Sequence, residues 1–207
     1  AFLDSPAEVA SSREYVSYGG SLNGDRTLII SHGVGAAGAA ICFQELIALG
    51  AKTVIRLGTA GAFIDKYATG DVFIPVGAFR LDGASKALVQ PEYPAVPDFG
   101  LASALYAAVS RHDPRVRYGL VVTSDLFYET TESFKWFKQL NIAAVDMETS
   151  TLFVIGLLNK VRTASVLFFD GNPIHWKDGD YDPRGKKLKE SMARVIPLIM
   201  RAALKLE

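Results

Sequence analysis

A chain of 207 residues, with 49% hydrophobic and 21% charged side chains, is long and apolar enough to bury a substantial globular core. Its 22 Lys and Arg match its 22 Asp and Glu, so the overall basic footprint of a nucleic-acid-binding protein is missing. No stretch reads as a signal peptide or a membrane span, because His32, Gln44, Glu45 and several glycines interrupt the most apolar long window, 28–50.

The first predicted element is a buried strand at 26–31, which runs into the tight turn His32-Gly33-Val34-Gly35. Small and apolar residues over 36–49, closed by Gly50, predict a helix. Residues 53–57 form the next strand, followed by Gly58-Thr59-Ala60-Gly61. Strand, helix and strand with short connections make a βαβ unit, which implies a parallel sheet. A strand at 71–76 precedes a polar, Pro- and Gly-rich stretch, 80–98, that reads as a long loop. Then come a helix at 101–112, a strand at 120–123, a short helix at 134–140 and a brief strand at 143–145. A helix at 149–158, a strand at 164–169, a polar loop up to Arg184 and a final helix at 186–206 complete the chain. With no repeat or low-complexity tract, this alternation predicts one α/β domain over 1–207 with a mixed or parallel sheet. In such folds chemistry belongs at the carboxyl ends of the strands.

Arg56 lies inside an apolar strand, where an unpaired charge is costly. With Thr59 and the unencumbered backbone of Gly58 and Gly61 it would clamp an anion; a structural ion pair is the alternative. The turn at Gly33 and Gly35 precedes a helix N-terminus, which also favours anions. Residues 33–38 match the letters of a dinucleotide fingerprint, but no acid closes the next strand, so a dehydrogenase is disfavoured. Asp146 and Glu148 flank Met147 at a strand end. They suit the hydroxyls of a vicinal diol, or equally the N-terminus of a helix. Asp170 ends a strand rich in Phe, where a carboxyl keeps its proton more readily and serves as a general acid; opening an Asx-turn is the other reading. Arg184 could steer that proton or lie at the surface. Phe127 and Tyr128 suit stacking on a planar base, or a place in the core. The one cysteine, Cys42, reads as a small buried hydrophobe, with no metal-ligand spacing around it. Zinc-hydrolase, serine-hydrolase and P-loop motifs are absent from the sequence. Cysteine usage suggests a cytoplasmic protein.

Taken in order, five stretches resemble the nucleoside phosphorylase family, which holds uridine, hexameric purine nucleoside and methylthioadenosine phosphorylases. They are 31–35, 54–61, 124–128, 145–148 and 169–170, and together they span nearly the whole chain. The resemblance implies a single-domain, three-layer α/β/α fold around a central mixed, largely parallel sheet. It implies phosphorolysis of nucleosides to free base and ribose 1-phosphate, with inorganic phosphate as co-substrate and no metal or other cofactor. Arg56 and Thr59 resemble phosphate-site residues, and Arg13 stands where the family lends an arginine to a neighbouring subunit. Met147 and Glu148 resemble ribose-site residues, with Asp146 where a Glu is usual. Phe127 resembles the base-stacking aromatic, and Asp170, helped by Arg184, the acid of the purine branch. Sites shared between subunits imply a homo-oligomer of dimer units, up to a hexamer. The family's opening strand and its Gly-Asp-Pro-x-Arg phosphate loop have no counterpart ahead of Phe2-Leu3-Asp4. The segment 80–85 and the segment 92–99 resemble uridine phosphorylase. Yet Thr130-Thr131-Glu132-Ser133 offers neither the Gln nor the Arg that reads uracil there, so purine nucleosides are the expected substrates. A phosphate-independent nucleosidase and a non-catalytic nucleoside-binding module are the rival readings.

Overall fold

The computed structural model describes residues 3–204, apart from the side chains of 177 and 178. It opens with a three-stranded antiparallel meander, β1 (Asp4–Ser12), β2 (Tyr15–Leu22) and β3 (Asp25–Ile30). Only β3 is foreseen from its apolar run, and it is not buried as expected, since Leu28 and Ile29 are 41% and 43% exposed. Every residue of β1 is exposed, and β2 is mostly half-buried, so neither carries the alternation that marks a one-sided strand.

The turn after β3 leads into α1 (Ala36–Ala48). Gly33 and Gly35 adopt φ of 73° and 92°, a conformation that glycine enters without steric penalty. β4 (Thr53–Ala62) follows, but β3 does not pair with it. The βαβ expectation at this point is therefore corrected, since α1 joins two separate sheets. β5 (Val72–Arg80) and a short helix, α2 (Gly83–Leu88), come next. The latter lies within the stretch expected to be a loop, and its side-chain cap, Asp82, accepts from Ser85 N at 2.6 Å. α3 (Phe99–Ser110) is capped in the same way by Asp98. β6 (Arg117–Thr123), α4 (Thr131–Gln139), β7 (Ile142–Asp146), α5 (Thr149–Asn159) and β8 (Arg162–Gly171) follow in order. A 3-10 turn (Pro173–Asp178) and α6 (Lys186–Ala203) end the described chain; the predicted extension of the last helix over 205–206 lies outside the described residues.

The central sheet is mixed and largely parallel, and it closes into a barrel in the order β4-β7-β6-β5-β8. The pairs β4–β8, β5–β6 and β6–β7 are parallel, while β4–β7 and β5–β8 are antiparallel. β8 is buried along nearly its whole length, which explains its run of apolar residues without polar alternation. Helices α3 and α6 pack on one side through Leu101, Leu105, Val195 and Ile199. Helices α1 and α5 pack on another through Ala39, Phe43, Leu152 and Ile155. Phe73, Phe168 and Phe169 are fully excluded from solvent, each stabilising the fold by roughly 1.5–3 kcal/mol. This arrangement gathers the ends of β4, β6, β7 and β8 into one region.

Candidate active site

Arg56 is 5% exposed and projects from β4 between two acids. Its Nη1 lies 3.1 Å from Asp146 Oδ2, and its Nη2 donates to Glu148 Oε2. Neither Nε nor Nη1 has an aligned hydrogen-bond acceptor, so the buried guanidinium keeps donors to spend. Gly58 makes this placement possible. A Cβ there would come within 2.6 Å of the guanidinium carbon and both terminal nitrogens of Arg56.

Glu148 stands at the start of α5 but does not cap it. Its Oε1 instead accepts from Gly35 N at 2.7 Å, tying the glycine turn before α1 to Arg56. Met147, beside it, is half-buried. Asp146 has different company from that expected of a ribose ligand. Its side chain is fully excluded from solvent, and it accepts from Thr123 Oγ1 at 2.8 Å and from the backbone and hydroxyl of Thr149. Burial pushes the Asp146 carboxyl up, Arg56 opposes this and Glu148 adds to it. Asp146 therefore braces Arg56 and the first turn of α5. His32, unremarked from sequence except as part of its turn, rests against Phe43 with rings 5.6 Å apart, and its Nδ1 has no partner. Burial and then the Arg56 charge push it below the ordinary histidine range.

Asp170 lies near the end of β8. Burial raises its carboxyl to about 6, although a hydrogen bond with the Thr59 side chain works in the opposite direction. Thr59 thus contacts the acid as well as neighbouring Arg56 along the strand. The next residue, Gly171, has no room for a side chain, since a Cβ there would lie 2.2 Å from the Asp180 carbonyl. That close approach lets the chain fold back, with Asp182 N donating to Asp170 O at 2.8 Å and Gly171 bridging to Tyr181. The returning segment carries Trp176 and Tyr181 onto Phe127, with ring centroids 5.0 and 6.0 Å away. Trp176 Nε1 is a buried donor with no partner. Both aromatics sit in the stretch read only as a polar loop, and the large rings within it were the available signal. Arg184 is exposed in the turn before α6, and no described contact joins it to Asp170. Arg13 is exposed at the β1–β2 turn with φ of 55°, next to Glu14, whose side chain lies against the glycine turn, 2.7 Å from where a Cβ on Gly33 would stand. Thr130 caps α4, accepting from Ser133 N at 3.1 Å, so the segment lacking the uracil-reading pair has a helix-starting role.

The strand ends of the barrel thus bring together a braced guanidinium, a carboxylate tied to a glycine turn and a buried carboxyl near aromatic rings, groups suited to an anion and a planar leaving group. The model of the phosphorylase superfamily matches residues 2–203, and the chain belongs to that superfamily. The purine nucleoside phosphorylase of Plasmodium falciparum is 36% identical over 207 residues, covering 98% of this chain and 84% of the relative. The uridine phosphorylase of Treponema pallidum is 38% identical over 179 residues, covering 81% of this chain and 69% of the relative. A crystal structure of purine nucleoside phosphorylase from Toxoplasma gondii in complex with immucillin-H matches with a TM-score of 0.92 at 28% identity, over 99% of this chain and 84% of that one. The chain is an enzyme of the nucleoside phosphorylase type.

Proposed function

We propose that this enzyme cleaves the N-glycosidic bond of purine nucleosides with inorganic phosphate, releasing free base and ribose 1-phosphate. The observation that carries the reading is the buried Arg56, held by two acids and retaining unspent donors, on the same strand as Thr59 and its contact to Asp170. Arg56 and Thr59 bind phosphate. Glu148, with Met147 beside it, receives the ribose hydroxyls, and Phe127 faces the base. Phosphate oxygen attacks the anomeric carbon as the bond to the base breaks, and the phosphate charge stabilises the oxocarbenium-like transition state. Asp170 gives its proton to N7 of the purine, so the base leaves neutral. Phosphate is a co-substrate, and this chemistry uses no further cofactor.

The relationship to uridine phosphorylases gives a second reading, in which uridine is the substrate. The acid at 170 and the lack of a Gln or Arg in Thr130-Thr131-Glu132-Ser133 favour the purine. Among the described residues no helix is long and apolar enough to cross a membrane. We place the enzyme in the cytoplasm as a homo-oligomer, with exposed Arg13 reaching a neighbour's phosphate. Product analysis tests the reaction. Inosine and phosphate should yield hypoxanthine and ribose 1-phosphate in equal amounts, whereas free ribose would show that water is the nucleophile.

A further inference from the structure

Asp82 is a carboxylate with no solvent exposure that lies outside the groups given roles above. Its Oδ1 accepts from Ser85 N at 2.6 Å and from Thr151 Oγ1 at 2.8 Å. Its Oδ2 accepts from Ser85 Oγ at 2.7 Å and from Ser150 Oγ. Burial alone would raise this carboxyl, but the bonds from Ser150, Ser85 and Thr151 outweigh it and hold the group below the usual carboxylate range. No described ion pair neutralises it. A buried charge answered only by hydroxyls and a backbone N–H is a costly way to fill space, and one that fixes each donor in direction.

What those donors belong to is the informative point. Ser150 and Thr151 form the first turn of α5, directly after Met147 and Glu148. Glu148, at the N-cap position, makes no capping bond of its own. The turn is held by two buried acids. Asp146 holds it locally through Thr149, and Asp82 holds it from a distant part of the chain. The platform under Asp82 is itself rigid. Arg80 donates to Ser85 Oγ at 3.0 Å and to the carbonyls of Ser85, Val89, Gln90 and Tyr93 at 2.6–3.1 Å. The neighbouring Gly83 N donates at 2.7 Å to Asp125, in the loop that carries Phe127. One segment thus grips both the helix start next to Glu148 and the loop next to the aromatic ring.

We propose that Asp82 is a positioning residue for nucleoside recognition, holding Ser150 and Thr151 so that Glu148 keeps its orientation toward the sugar hydroxyls. The proposal rests on the reading of Glu148 as the ribose residue. Phosphate binding depends on it less, because Arg56 also keeps Asp146.

The test compares ribonucleosides with 2′- and 3′-deoxynucleosides, together with the KM of each substrate. In Asp82→Asn the nucleoside KM should rise about tenfold, the scale of one well-placed hydrogen bond, while the phosphate KM changes less than about threefold. The preference for the ribonucleoside over its deoxy analogues should shrink in parallel. The double variant Ser150→Ala with Thr151→Val leaves Asp82 and its bonds to Ser85 in place and should reproduce both effects, which keeps the test valid if Asp82→Asn folds poorly. Asp113→Asn disturbs another buried acid, bonded to Arg115 and Arg194, and should lower Tm without altering the ribo-to-deoxy ratio. An unchanged ratio in folded Asp82→Asn, or in the double variant, would overturn the positioning role while leaving the phosphorylase reading intact. Absence of phosphorolysis in the unaltered enzyme would overturn both.

Discussion

At the level of single residues the proposed chemistry rests on Asp170 and Arg56, and each owes its properties to its surroundings. The Asp170 carboxyl is raised to about 6 first by burial. It therefore holds its proton below that pH and loses it above. With purine nucleosides, kcat/KM should decline as pH rises through about 6, and Asp170→Asn should lower turnover by roughly 10²–10⁴-fold and remove that limb of the profile. The same shift has a stability consequence. The folded state binds this proton more tightly than the unfolded chain, so the side chain's burial is easiest below about 4 and destabilises the fold increasingly up to about 6. The Tm of Asp170→Asn relative to the unaltered enzyme should accordingly be higher at pH 8 than at pH 4. At Gly58 the argument is steric. Gly58→Ala sets a methyl against the guanidinium of Arg56, and steady-state kinetics should show a phosphate KM raised roughly tenfold or more, with overall stability changed less than in a core deletion. An unaltered phosphate KM would mean that phosphate binds elsewhere.

Among the elements, the segment returning over Asp170 is the one that sets further aromatic rings beside the end of β8. Trp176 and Tyr181 reach Phe127 because Gly171 tolerates the Asp180 carbonyl against it. Trp176→Ala removes the nearer ring, and the nucleoside KM should rise about three- to tenfold, the range set by one aromatic pair, while the phosphate KM stays close to its original value. This part of the site was hard to read from sequence, since Trp176 and Tyr181 acquire a partner only through a backbone reversal that no local pattern announces. The same reasoning explains the elements that were missed. β1 and β2 are held by their ladder rather than by a buried face, so their side chains show no period. β8, α5 and the glycine turn before α1 were legible because burial and backbone conformation act locally there. Arg56 announced itself as a charge inside an apolar strand, but its two acidic partners lie far along the sequence, Glu148 being 92 positions away. The brace formed by Asp146 depends on β7 lying antiparallel to β4, a pairing that periodicity does not specify.

The whole molecule is a mixed barrel that brings the Arg56 strand, the start of α5 and the Asp170 end of β8 into one place. Closure of the barrel through β7 is decisive, because that strand carries Asp146 beside β4 and aims the start of α5 at Arg56. The family relationship covers the chain from residue 2 to residue 203 and agrees with this convergence of strand ends. The most direct test of purine phosphorolysis is the release of free base from inosine, adenosine and uridine, each measured with and without phosphate. The structure predicts release that saturates with phosphate, vanishes without it and is faster for a purine nucleoside than for uridine. Release that is equally fast without phosphate would contradict the role of Arg56, and a clear preference for uridine would contradict that of Asp170.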